Sequence, residues 1–327
     1  MLKHFGRSVA AIICIVILAL TAPAVAQPAA FPTKPITLIV PFAAGGATDI
    51  VARLVAKHMS EDIGQNLVIE NRTGGAGNIG TLAAVRSQPD GYTLVLATTT
   101  QVVNQYLMKD LPFDVFNDLT PVALIADAPE ILAVTASLPV NTLLEFAEAA
   151  RKSRIGFNYG SPGVGSVPHL GGEILGKAIG TKMTHVPFRG SADAVREVAA
   201  GNIQLTVTTH ASAASLMDAG KIKPLAAAAK QRISSLPNVP TTAEAGIPGI
   251  ELSNWFGIMG PRGLSPQLVS FLNMAFNKAL AHSDTSSALK AQGIEPVRET
   301  AQQFADRLQA DGKVYRQILA DIGLLAR

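Results

Sequence analysis

The chain has 327 residues, of which 48% are hydrophobic, 16% charged and 5% aromatic, with a formal net charge of +3. It is too apolar and too aperiodic for a disordered or collagen-like protein, and it has no basic run of the kind that marks a nucleic-acid partner. Its length predicts about two domains with ample buried core.

At the N-terminus Lys3, His4 and Arg7 precede an unbroken apolar run from Val9 to Leu20, followed by Ala24-Val25-Ala26. This is the layout of a cleavable signal peptide over residues 1–26. The run falls short of the ~20 residues that a membrane span needs. The single cysteine, Cys14, lies inside it, so the mature chain is expected to carry no disulfide, no thiolate nucleophile and no Cys-based metal site. Losing Lys3 and Arg7 brings the net charge close to neutral. The expectation is a soluble protein exported to the periplasm.

Further on, strand and helix signals alternate. Ile36–Val40 reads as a buried strand, Asp49–Ser60 as an amphipathic helix, Leu67–Glu70 as a strand, Asn78–Ser87 as a helix and Thr93–Ala97 as a strand. This βαβαβ rhythm predicts a mostly parallel sheet flanked by helices. It restarts with strands at Ile131–Thr135, Ile155–Tyr159, Thr184–Phe188, Ile203–Thr209 and Ile222–Ala227, with helices between. A capping box is expected at Thr142/Glu145 and a cap at Ser191. Ser265-Pro266 and Thr300/Gln303 open two C-terminal helices. The pattern predicts an α/β protein of two lobes. Residues 27–128 and 254–327 form lobe I, residues 129–253 form lobe II, and a ligand cleft lies between them.

Four glycine-rich turns sit where strands give way to helices: Pro41–Asp49 (PFAAGGATD), Thr73–Asn78 (TGGAGN), Ser161–Ser166 (SPGVGS) and Phe188–Ser191 (FRGS). A helix start offers free N–H groups and roughly half a positive charge, which suits an anion. One such turn alone is ordinary βα chemistry; four, split over two lobes, point to an anion-binding cleft at the C-terminal strand ends. Gly75–Gly80 also fits a dinucleotide fingerprint, but the next strand ends in Thr98-Thr99-Thr100 with no acid, so no cofactor is expected. No Walker lysine, H-E-x-x-H or G-x-S-x-G is present, and the histidines lack metal spacing. His169 lies close enough to the Ser166 loop to touch a ligand, or to pack or cap there.

These segments, with Pro89–Leu94 (PDGYTL), Val186–Gly190 (VPFRG), Gly220–Leu225 (GKIKPL), Pro240–Gly246 (PTTAEAG) and Trp255–Ile258 (WFGI), run in order over the mature chain. Together they resemble the extracytoplasmic solute receptors of tripartite tricarboxylate transporters, the Bug or TctC-type family. The resemblance implies a two-lobed, Venus-flytrap periplasmic binding protein. It would act as a monomer, close on a small organic acid and deliver it to the membrane subunits of the transporter, with no catalytic residue, metal or nucleic acid involved. It implies a ligand site at Phe42, Ala44, Gly45, Gly46, Thr48, Asp49, Thr98, Thr99 and Thr100 in lobe I. In lobe II it implies Ser161, Gly165, Ser166, His169, Arg189, Gly190, Asp193 and Thr209. Many relatives carry proline at Asp193 and an acid-amide pair at Thr208-Thr209, so an altered distal pocket is expected. Two alternatives are an exported α/β hydrolase or transferase using Ser161 or Ser166 with His169, and a sensory receptor of the same fold.

Overall fold

The computed structural model describes residues 31–326; the expected signal peptide lies outside them. In chain order the elements are β1 (Ile36–Val40), α1 (Ala47–Ile63), β2 (Leu67–Asn71), α2 (Asn78–Val85), β3 (Thr93–Thr98), α3 (Thr99–Leu107) and β4 (Leu119–Thr135). They continue with α4 (Leu143–Lys152), β5 (Asn158–Ser161), α5 (Val167–Ala178), β6 (Thr184–Pro187), α6 (Ser191–Ala199), β7 (Leu205–Thr209), α7 (His210–Asp218) and β8 (Ile222–Ala227). β9 (Ser253–Pro261), α8 (Pro266–Ala281), α9 (Ser283–Ala291), β10 (Glu295–Pro296) and α10 (Ala301–Asp321) complete the chain.

The strands run in the order β2-β1-β3-β9-β4-β7-β5-β6, with β8 and β10 also pairing on β4. Each half keeps a parallel trio, β2-β1-β3 and β6-β5-β7. The antiparallel pairings are made by β9 and β4, which join the trios. β4 is the pivot. Its first part, Leu119 to Pro129, pairs with β9, and from Glu130 onward it pairs with β7. The strand therefore changes partners, and changes halves, between Pro129 and Glu130.

Alternation along β4 divides the second half into two cores, because successive side chains point to opposite faces. Leu132 and Val134 pack with Phe146, Tyr159 and Leu175. Ile131 and Ala133 pack with Val195, Val198 and Ile222. In the first half, Val95, Ala97 and Leu124 meet Trp255 and the α10 residues Phe304 and Leu308.

Several elements differ from the sequence expectation. β4 is 17 residues long, whereas the sequence suggests a strand only over Ile131–Thr135. Pro121 and Pro129 break the strand signal, and the structure absorbs irregularity through register shifts after Pro121 and Leu124. α3 is not expected, because Thr99 to Asn104 are all buried and an all-round buried helix shows no amphipathic stripe. α9 and β10 are also additions. Strand β5 starts at Asn158 rather than Ile155, which is 98% exposed. The cap of α6 is Gly190 instead of Ser191. At Thr142 the hydroxyl accepts from the Glu145 N–H, but the Glu145 carboxylate accepts from Asn141, so the reciprocal box is not formed.

Candidate functional site

The helix starts are of two kinds. α3, α4, α5, α8 and α10 close their first turn with the side chains of Thr98, Thr142, Ser166, Ser265 and Thr300. α1, α2, α6, α7 and α9 begin behind Gly46, Gly77, Gly190, Thr209 and His282, none of which makes a side-chain cap. Three of these starts, those of α1, α6 and α7, border one small pocket: Gly46, Ala47 and Thr48 enter it from the first half, and Ser191 and Thr209 from the second. Thr100 also reaches it. Uncapped first-turn N–H groups with aligned helix dipoles favour negative charge at that point.

The two halves are in contact around this pocket. The Ala47 N–H donates to Ser212 Oγ at 2.9 Å, and the Ala43 N–H donates to the Arg189 carbonyl at 3.3 Å. Gly190 has extended backbone, yet any Cβ placed on it would lie 2.9 Å from the Ala43 Cβ and 3.0 Å from its nitrogen. Glycine is needed there for close approach.

Asp49 is buried and fully engaged. Its carboxylate accepts from the Gly45 N–H at 3.0 Å, from Arg53 Nε at 2.9 Å and from Asn71 Nδ2 at 3.0 Å. Burial pushes the carboxyl upward, but the hydrogen bonds from Arg53, Gly45 and Asn71 win and hold it below its ordinary value. Asn71 also donates to the Phe42 carbonyl. Asp49 thus shapes the Phe42–Gly46 turn from behind, and Ala44 and Gly45 stand at its exposed tip.

The Ser161–Ser166 turn satisfies itself. Ser161 Oγ is buried, accepts from the Gly163 N–H, donates to the Gly163 carbonyl and lies 2.6 Å from His185 Nε2. Ser166 Oγ donates to the Gly163 carbonyl and caps the His169 N–H, while His169 Nδ1 accepts from the Gly165 N–H. Burial holds His169 and His185 down to about 4, so both rings are neutral at neutral pH. With its own proton on Gly163, Ser161 needs His185 as donor rather than as base, the reverse of an activated nucleophile. Thr98 and Thr99 are likewise occupied: Thr98 caps α3, and Thr99 accepts from the Trp255 N–H at 3.1 Å.

A second cavity of about 740 Å³ opens beside the small pocket and shares Pro162 with it. Gly75 and Met108 line it from one half, and Phe188, Arg189 and Asp193 from the other. Asp193 is ion-paired with Arg196. Of the expected residues, then, Phe42, Gly46, Thr48, Thr100 and Thr209 meet in the inner pocket, and Arg189 and Asp193 in the outer cavity. Of the others, Asp49, Thr98, Thr99, Ser161, Gly165, Ser166 and His169 are engaged in hydrogen bonds within the protein, Gly190 lies at the lobe contact, and Ala44 and Gly45 stand at the exposed tip.

Two inner-pocket residues escape sequence reasoning. Glu130 is 1% exposed, and Asn254 stands next to Trp255 on β9. Both Glu130 oxygens and Asn254 Oδ1 are buried without a hydrogen-bond partner among the described residues. Burial pushes the Glu130 carboxyl up to about 8. The only available signal was its place in an otherwise apolar stretch, Ala128 to Val134.

A sheet whose halves share one long crossing strand, with helix starts meeting at the crossover, defines the class of two-lobed α/β binding proteins. Residues 51–324 match the model of the tripartite tricarboxylate transporter family receptor, TctC, and the chain belongs to that family. BugT of Bordetella pertussis is 34% identical over 295 residues, spanning 88% of this chain and 90% of BugT. The structure of R. palustris Rpa4515 with adipate superposes with a TM-score of 0.87 at 35% identity, covering 90% of this chain and 98% of that one. MatC from Rhodopseudomonas palustris with bound malate gives 0.85 at 31% identity, over 88% and 100%.

Proposed function

We propose that the protein is a periplasmic receptor that closes its two lobes on a small carboxylate-bearing solute and hands it to the membrane subunits of a tripartite transporter. The observation that carries this reading is the meeting of three uncapped helix starts, from both sides of the cleft, on one buried pocket. One carboxylate group enters there, against the first-turn amides of α1, α6 and α7, as the pocket widens from the about 20 Å³ it has in this form. Similar proteins hold adipate and malate, each with two carboxylates. Arg189 lines the adjoining cavity, and its planar fork suits the second carboxylate.

The lobes follow the strand pairing. Among the described residues, lobe I takes 34–128 and 254–326 and lobe II takes 129–253, with β4 and β9 as the hinge. Export relies on cleavage after residue 26, and capture requires only a hinge motion. The receptor works as a monomer and makes no covalent bond to its ligand. Ser161, locked in three hydrogen bonds, gives no support to the hydrolase alternative.

The test is a thermal-shift and calorimetric screen of small mono-, di- and tricarboxylates. A ligand at a hundred times its Kd should stabilise the fold by about 2.7 kcal/mol, and it should be recovered unchanged. Silence across the acids, or consumption of the ligand, contradicts the proposal.

A further inference from the structure

We infer that Glu130 is a specificity residue of this site, selecting acids that carry a hydrogen-bond donor, ammonium or hydroxyl, on the carbon next to the bound carboxylate. The inference rests on the carboxylate reading above and adds to it the chemistry of the neighbouring position.

Glu130 stands where β4 leaves β9 and joins β7, opposite Thr209 in register. A position where pairing changes hands is where open α/β sheets hold ligands. Its backbone is fully used, the N–H donating to the Leu252 carbonyl and the carbonyl accepting from the Ala228 N–H, both close to 2.9 Å. Its side chain is not. Neither oxygen has a hydrogen-bond or ion-pair partner among the described residues, although the residue is 1% exposed. Buried carboxyl groups are costly unless paired, so an acid held this way in a pocket is retained for something that enters the pocket.

The surroundings indicate what enters. The amides and dipoles of α1, α6 and α7 supply donors for an anion. Glu130 and Asn254 Oδ1 instead present acceptors, and both line the same small pocket. A ligand carboxylate alone leaves those acceptors unmet and sets its own charge close to an acid. A ligand with a donor on the adjacent carbon satisfies both sides at once. An ammonium would draw Glu130 into its ionised form and pair with it; a hydroxyl would hydrogen-bond to it without change of charge. Asp193, which lies in the outer cavity and is paired with Arg196, has no comparable reach.

Succinate, malate and aspartate form a matched series: unsubstituted, hydroxy and amino. Calorimetry on the purified protein should show malate or aspartate binding at least ~10-fold more tightly than succinate, the scale of one buried hydrogen bond to a charged or polar group. In Glu130→Gln, which keeps shape but not charge, the amino preference should fall while the hydroxy preference persists. In Glu130→Leu the three should level to within about 3-fold, and the free protein should melt higher, since an unpaired buried acid has been removed. A structural residue would lower the melting temperature. If wild type binds succinate as tightly as the other two, or if the preference survives both variants, the inference is overturned and the carboxylate reading stands. A protein that binds none of the three overturns the inference, and silence toward the wider acid panel overturns the underlying reading as well.

Discussion

The starts of α1 and α5 lie on opposite halves of the sheet and both follow glycine-rich turns, yet they treat their amides in opposite ways. At α5 the turn is closed on itself: Ser166 caps the His169 N–H, His169 takes the Gly165 N–H, and Ser161 holds both polar groups of Gly163. At α1 no side chain caps the helix, and the Ala47 N–H reaches across to Ser212 of the other half. The first arrangement stabilises a lobe. The second ties a helix start of one lobe to a side chain of the other. A glycine-rich turn after a strand is therefore not marked as a ligand site by its glycines alone, nor by a missing cap alone, since α2 also starts uncapped behind Gly77 and does not line the inner pocket.

The sharpest way to break this contrast is at the lobe contact. Gly190→Val should push α6 away from Ala43, where even a Cβ lies 2.9 Å from its neighbour. The overpacking cost of about 1–3 kcal/mol falls on the closed form, so calorimetry should show affinity reduced by roughly 10- to 100-fold, with solution scattering reporting incomplete closure. Unaltered affinity would mean that the contact is not part of the bound state.

Next in size is a pH effect. Glu130 has an ordinary value of 4.5 and is raised to about 8 by burial. Between those values the unfolded chain is ionised while the folded chain keeps its proton, so the free protein loses stability as pH rises through that window. Chemical denaturation of Glu130→Gln should lack this decline, and parallel curves for the two proteins would contradict the assignment. Asp49 has the opposite sign. Its folded value lies below its ordinary one, so its stabilisation is complete above the ordinary Asp range and disappears as pH falls through the folded value. Asp49→Asn should flatten that acid limb and lower stability by about 1–3 kcal/mol.

Smaller effects separate the two turns. Ser166→Ala should reduce stability by about 0.5–2 kcal/mol, as other lost caps do, and should change affinity less than about 3-fold. A large affinity loss with an intact melting temperature would place the α5 turn in the site after all. Asp193→Asn should change stability least, by under ~1 kcal/mol, because an exposed ion pair with Arg196 is worth little.

Much of this architecture could be read from residues. The strand runs Ile36–Val40 and Thr93–Ala97, the Pro-led start of α8 and the Thr300/Gln303 box are local signals, and the structure keeps them. The sites of the turns were legible for the same reason. What was not legible is non-local. Which acceptor meets the first amide of α1 depends on Ser212, which arrives from 165 residues away in sequence. The length of β4 was hidden by Pro121 and Pro129, whose irregularity only the pairing with β9 resolves. Glu130 was hidden because one acid in an apolar strand gives no sign of partner or pocket until β4 is seen to change neighbours beside it.

Ligand capture depends on which backbone amides meet the bound carboxylate. Amide chemical-shift mapping of the 15N-labelled protein, titrated with adipate and malate, tests this directly. The largest shifts should fall at Gly46, Ala47, Thr48, Ser191 and the first turn of α7, with Gly163, Gly165 and Ser166 little moved. Shifts centred on the Gly163–Ser166 turn, with the α1 and α6 starts unperturbed, would contradict it.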